Sequence, residues 1–186
     1  MGATVGLIAG YYGKFVDMVL TRVGDIFMSI PPMLLAICII AVLGTNFFNL
    51  IFTMTITSWV VAARMVRGQV FTCKNSDFIR AEVAMGAKGP RILFNQILPN
   101  TLTPLIVQET QHFGGVIMAE SGMSFLGLGI PYPTPSWGTM IADGRAYLTS
   151  APWVVMAPGL MLMITVLCFN FFGDGIRDVL DPKNKD

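Results

Sequence analysis

Charge is what this sequence has least of. Asp, Glu, Lys and Arg make up 12% of its 186 residues, against 54% that are hydrophobic, and the mean hydropathy is +0.66. So little polar surface cannot cover a soluble globule of this size, which places the chain in a bilayer. The net charge of +1 excludes a general nucleic-acid footprint. Cys38, Cys73 and Cys168 have no metal-ligand spacing and read as unpaired thiols. With one histidine, no H-E-x-x-H and no Ser or Cys beside a base, no catalytic constellation is visible and no metal site is expected. A G-x-x-x-x-G-K-[ST] loop is missing too, so the chain cannot cradle nucleotide phosphates by that route. Residues 1–10, MGATVGLIAG, lack the basic start and small-residue exit of a signal peptide.

What is present is a series of long uncharged runs. No Asp, Glu, Lys, Arg or His occurs from Ile26 through Ala63. With about 20 residues needed per crossing, that is roughly two crossings, with Gly44, Thr45 and Asn46 at the turn. Thr101 to Ala119 follows, broken only by Glu109 and His112, and then Val154 to Phe172, which is uncharged. These runs do not alternate as barrel strands would. The expected fold is therefore an all-α, polytopic membrane helical bundle forming one domain over 1–186. Crossings are expected at 17–43, 47–66, 99–119 and 152–172, with a partial one at 1–12. Gly2, Gly6 and Gly10, four residues apart, would let a neighbouring helix approach closely. Pro31 and Pro32 should kink the crossing they interrupt.

Six of the twelve Lys and Arg residues, Arg64, Arg67, Lys74, Arg80, Lys88 and Arg91, fall between positions 64 and 91, in or just before one loop. The positive-inside rule assigns that loop, 67–98, to the cytoplasm. It then makes 120–151 external and the tail at 173–186, with Arg177, Lys183 and Lys185, cytoplasmic. Trp137, Tyr147 and Trp153 fit near the outer interface. At the cytoplasmic edge, Arg22 and Asp25 are spaced for an intrahelical ion pair beside Asp17.

Within the basic loop, Asn75 and Ser76 can cap a helix beginning at Asp77, whose carboxylate suits the positive helix end. Phe78, Ala81, Ala84 and Met85 give it a small apolar face. Gly86 is placed as a C-terminal stop, and Gly89-Pro90 opposes continuation. About ten residues are marginal in isolation, so this helix needs something to pack against. An ordinary connector lying on its own bundle is one reading, and a docking element is the other.

Here the sequence resembles the permease subunits of ABC importers of the dipeptide, oligopeptide and nickel class, in particular the C-type partner of the permease pair. Their cytoplasmic signature runs Glu-Ala-Ala, three residues, Gly, nine residues, a hydrophobic position, one residue, Leu-Pro. Ala81, Gly86 and Leu98-Pro99 match it, while Arg80 stands at the Glu position, Glu82 at the second Ala and Gln96 at the hydrophobic position. GLIAGYYG, VRGQV, ILPNTLTPLIVQ, AESGMSFLGLG, PTPSWG, SAPW and GDGIRDVLDP resemble the same permeases in the same order.

The resemblance implies a type I ABC importer transmembrane domain in a bacterial plasma (inner) membrane, normally preceded by a further helix and an external segment. It implies a non-enzymatic chain that moves small peptides, or else nickel or a metal chelate, by alternating access. Its implied partners are a second permease chain, two cytoplasmic ATPase subunits holding ATP and Mg, and an external binding protein. Residues 77–90 would be the coupling segment, with Asp77, Phe78, Arg80, Ala81, Glu82, Met85, Gly86 and Pro99 as its site residues. The segment 121–147 would be an external lid or a docking surface for the binding protein, and a tight packed loop is the alternative.

Ionisable groups inside a crossing are costly, so Glu109, His112 and Glu120 mark a functional stripe by default. Glu109 and His112 are one turn apart, and Glu120 lies about three turns beyond Glu109 on nearly the same face. They line a translocation path, or they pair with a second chain or with backbone groups. The same three residues would be the relay of an ion-coupled transporter or channel, the reading from another functional class.

Overall fold

The computed structural model describes residues 1–180; positions 181–186, including the tail residues Lys183 and Lys185, lie outside the described part. Among the described residues all regular structure is helical. In chain order it comprises α1 (Gly2–Tyr12), α2 (Lys14–Ser29), α3 (Pro32–Leu43), α4 (Phe47–Lys74), α5 (Asp77–Ala84) and α6 (Gly89–Ile92). A π-helical turn (Leu93–Ile97), α7 (Leu98–Phe125), α8 (Trp137–Gly144), a 3-10 turn (Arg145–Tyr147) and α9 (Trp153–Leu180) complete it.

The expected kinked crossing over 17–43 is two helices with a break. Ile30 is extended, at φ −100° and ψ 130°, because the ring of Pro31 disfavours a helical conformation in the residue before it. Pro32 then opens α3, where its missing N–H removes no intrahelical bond. Neither half is long enough to cross alone; together they have the length and composition of a broken crossing or of a re-entrant loop. α4 and α9, 28 residues each, are long and apolar enough by themselves. α7 has the same length, but Gln108, Glu109, Gln111 and His112 interrupt it, and it lacks a continuous apolar stretch like those of α4 and α9.

The helices also overrun the expected crossings, since a helix need not stop where hydrocarbon does. α4 carries Arg64 and Arg67 and continues to Lys74; α7 includes Glu120 and ends at Phe125; α9 takes in 173–180.

The chain divides into two compact units, Met1–Pro31 with Thr57–Val107, and Pro32–Ile56 with the residues from Gln108 onward. In the first unit the glycine stripe of α1 lies directly on α4. A Cβ added at Gly6 would stand 2.9 Å from the Cβ of Val66, and one at Gly10 would stand 2.7 Å from that of Val70. Only glycine permits this approach. Val66 and Val70 continue into a core with Leu7, Ile79, Ile92, Leu93 and Ile97.

α2 is tied to α4 by charge. Arg67 donates to both carboxylate oxygens of Asp17, through Nε to Oδ1 and through Nη2 to Oδ2, the latter at 2.6 Å. Arg64 Nη2 donates to Asp25 Oδ1 at 2.7 Å, whereas Arg22 is 3.8 Å from the other oxygen of Asp25. The expected intrahelical pair is thus the weaker contact of Asp25. Its closer partner is 39 residues away, beyond the reach of a local spacing rule.

In the second unit Ala36, Ile40, Leu50 and Met123 form the core. α7 meets α9 through a 3.0 Å bond from Gln111 Nε2 to Asp174 Oδ1 and through stacked Phe113 and Phe169. Ser136 caps α8 in a reciprocal capping box with Thr139, which satisfies two otherwise orphaned backbone donors.

Candidate functional site

α5 and the turns that hold it form the best-defined candidate. The helix covers Asp77–Ala84, and Ser76 occupies the N-cap position with extended backbone, but its hydroxyl does not cap. Ser76 Oγ instead donates to the carbonyl of Cys73 at 2.6 Å, and Asn75 Nδ2 donates to that of Phe71 at 3.0 Å. Both side chains satisfy the frayed end of α4, so the expected cap at Asn75 or Ser76 is absent. The competition is between adjacent helix ends for the same short polar side chains.

The other end closes as a Schellman motif. Gly86 has φ +83°, its N–H donates to the Val83 carbonyl, and the Ala87 N–H donates to that of Glu82, each at 3.0 Å. The left-handed conformation at this position is where a side chain is penalised and glycine is not. A four-residue α6 follows, with Pro90 in its first turn, and runs into the π turn and then α7. Pro99 sits exposed at the start of α7.

The orientation of α5 decides what it can do. Ile79 is 3% exposed and packs into the core with Ile92, Leu93 and Ile97. Burying such a side chain contributes about 1.5–3 kcal/mol relative to leaving it in water. Phe78 and Met85 are exposed, Met85 to 78%, as are Asp77, Arg80 and Ala81. A weak contact of 4.0 Å joins Arg80 to Asp77. The apolar set Phe78, Ala81 and Met85 is therefore the outward face, and the inward anchor is Ile79. Spacing offered no signal for the anchor, since Val83, one turn beyond Ile79, is itself exposed.

Two polar contacts fasten this region. Gln96 Nε2 in the π turn donates to Glu82 Oε1 on α5 at 2.7 Å, with both residues half-buried. Lys74 Nζ, at the end of α4, donates to the Tyr11 carbonyl at 2.6 Å and lies 5.3 Å above the Tyr11 ring. Beside them is an open groove of about 240 Å³ lined by Tyr11, Lys74, Ile79, Arg80, Val83 and Ile92.

The second unit holds the intramembrane candidates, all on α7 and all half-buried. Glu120 Oε1 accepts a 2.6 Å bond from Ser124 Oγ one turn on. Neither Glu109 nor His112 has a hydrogen-bond or ion-pair partner among the described residues; the α7–α9 contact uses Gln111 instead. No three His, Cys, Asp or Glu side chains converge on a possible metal position among the described residues.

Residues 2–186 match the sequence profile of the family described as "Binding-protein-dependent transport system inner membrane component". Among curated proteins, the chain is 47% identical over 184 residues to the dipeptide transport system permease protein DppC of Alkalihalophilus pseudofirmus, covering 99% of this chain and 60% of that protein. It is 42% identical over 183 residues to the oligopeptide transport system permease protein OppC of Bacillus subtilis, with 98% and 60% covered. The di/tripeptide transport system permease protein DppC of Pseudomonas aeruginosa is 41% identical over 185 residues, with 100% and 61% covered. The chain thus spans about three fifths of the length of the relatives it matches.

Proposed function

Since this chain belongs to the binding-protein-dependent transport system inner membrane component family, we propose that it is a membrane-spanning permease subunit of an ATP-driven importer of small peptides. The peptide class follows from the names of its relatives. In this reading α5 is the coupling helix, which docks on a cytoplasmic ATPase and carries its motion into the membrane. The observation that carries it is the division of α5 into two faces: Ile79 locks one to the core, and Phe78, Ala81 and Met85 leave an apolar strip facing out. A connector that merely lay on its own bundle would turn that strip inward.

The energy source is then a separate chain with its own ATP and Mg, present as two ATPase subunits. A second permease completes the pathway, and an external binding protein delivers the peptide. The basic stretch from Arg64 to Arg91 faces the cytoplasm, and so does the C-terminus. Alternating access moves the substrate past α7. Glu109 and His112, half-buried and unpartnered among the described residues, line that path with Glu120, since an ionisable group in a crossing faces protein or water rather than lipid. The test is purification of the assembled transporter. A copurifying ATPase whose hydrolysis rises with peptide-loaded binding protein supports the reading, and purification with no ATPase sinks it in favour of an ion-coupled transporter.

A further inference from the structure

Two departures from the permease signature turn out to be a single feature. The signature has Ala where this chain has Glu82, and a hydrophobic residue where it has Gln96. Alone, either would set a polar group against the apolar cluster of Ile79, Ile92, Leu93 and Ile97. Together they satisfy one another, because the Gln96 amide donates to the Glu82 carboxylate at 2.7 Å across 14 residues of sequence. We propose that Glu82 and Gln96 form a polar strut that transmits displacement of α5 to the π turn and so to α7, making them positioning residues for coupling. The inference rests on the coupling role of α5 proposed above.

Three observations place the strut on the transmission route. Glu82 lies one turn beyond both Phe78 and Ile79 and is half-buried, so it stands at the edge between the strip offered to a partner and the inward anchor. Its backbone carbonyl is also the one that accepts the closing bond of the Schellman motif from Ala87, so any change in the exit from α5 is felt at the same residue. At the other end, Gln96 sits inside the π turn, and its carbonyl accepts a 2.7 Å bond from Asn100 Nδ2 in the first turn of α7. The apolar contact through Ile79 holds α5 on the core but adds no directional bond, because dispersion has no preferred direction. A charge-assisted hydrogen bond shielded by partial burial is short and directional, and it resists both shear and separation.

The test exchanges the two groups. Gln96→Glu sets two carboxylates against each other, while Glu82→Gln keeps an amide–amide bond, and the pair Glu82→Gln with Gln96→Glu restores an amide–carboxylate bond in reverse. All three are compared in the assembled, reconstituted transporter at equal amounts of complex, reading the ratio of binding-protein-stimulated to basal ATP hydrolysis and the peptide taken up per ATP. Gln96→Glu should lower the stimulation ratio about five-fold or more, with the exchanged pair returning most of it. Normal stimulation in Gln96→Glu, or equal impairment in Gln96→Glu and the exchanged pair, overturns the strut. So does a Gln96→Glu defect confined to assembly, which marks the pair as a packing contact. Gly86→Val, measured alongside, separates the two levels of inference. If it loses stimulation while the exchange series shows no rescue, the strut alone fails; if it and the whole series are stimulated normally, the coupling role of α5 fails with the strut.

Discussion

Arg67 on α4 grips the carboxylate of Asp17 on α2 with two parallel hydrogen bonds, Nε to Oδ1 and Nη2 to Oδ2. The Asp17 side chain is only 15% exposed, and Thr21 Oγ1 adds a 3.3 Å bond to the same Oδ1. A fork-to-fork pair fixes angle as well as distance. Together with the Arg64–Asp25 bond it sets how α2 lies along α4, where Gly24 faces Val60 closely enough that a Cβ there would stand 3.0 Å from a valine methyl.

Breaking that grip should destabilise the bundle without touching the intramembrane stripe. Asp17→Asn leaves Arg67 with a neutral acceptor and should cost about 1–3 kcal/mol. Arg67→Lys should cost nearly as much, because an ammonium cannot reproduce two bonds in one plane. Thermal unfolding of the detergent-solubilised complex reads both; an unchanged midpoint in Asp17→Asn would show the pair to be decorative.

Gly86 is the stop of α5 by virtue of its positive φ. Gly86→Val forces a β-branched side chain into the left-handed region and is strained by about 1–2 kcal/mol. Nothing lies within 4 Å of the position a Cβ would take, so the penalty is conformational rather than a clash. The expected outcome is a transporter that inserts and pairs normally but loses binding-protein-stimulated hydrolysis and uptake. ATP hydrolysis of the purified complex with and without loaded binding protein decides it.

Orientation can be read from a single thiol. Cys73 is half-buried and packs against the core, which makes it a poor reporter, whereas Met85 is among the most exposed apolar residues. Met85→Cys, with Cys38, Cys73 and Cys168 replaced and the chain produced without the proposed ATPase partner, should react with a membrane-impermeant reagent only after cells are opened. Reaction in intact cells would invert the topology.

Glu109→Gln keeps the size of the side chain and removes its charge. If Glu109 faces the path, uptake should change while the amount of assembled complex does not. Loss of assembly with unaltered transport in the surviving fraction would instead make it a contact to the second permease.

Much of the fold was legible because hydrocarbon imposes length and apolarity, and these are visible as the uncharged runs that became α3, α4 and α9. The stop of α5 at Gly86 was legible for a local reason, since turn chemistry depends on the residue in place, whereas the start at Asp77 was met without the cap expected there. Two things were not. Asp25 with Arg64, and Glu82 with Gln96, are contacts between distant segments, and no periodicity encodes them. The inward face of α5 was hidden by a different ambiguity. Phe78, Ala81 and Met85 form the apolar stripe that spacing shows, yet Ile79 is the residue of α5 that is buried while Val83, one turn on, is exposed, and only the packing of α1, α4 and the π turn makes that choice.

The π turn has a consequence for how this stretch tolerates change. An i to i+5 turn accommodates one residue more than an α-helical turn does, and the helix beyond it inherits the offset. Thr101, 2% exposed, and Leu105, packed against the core, lie one and two turns beyond it. Removing one residue from 93–97 would let the turn close with ordinary winding while both keep their direction, whereas a one-residue deletion in the α-helical start of α7 has no such slack and would rotate both by about 100°. The π turn is therefore where this stretch can absorb a change of length, and a one-residue deletion at 93–97 should be milder than one at 98–100.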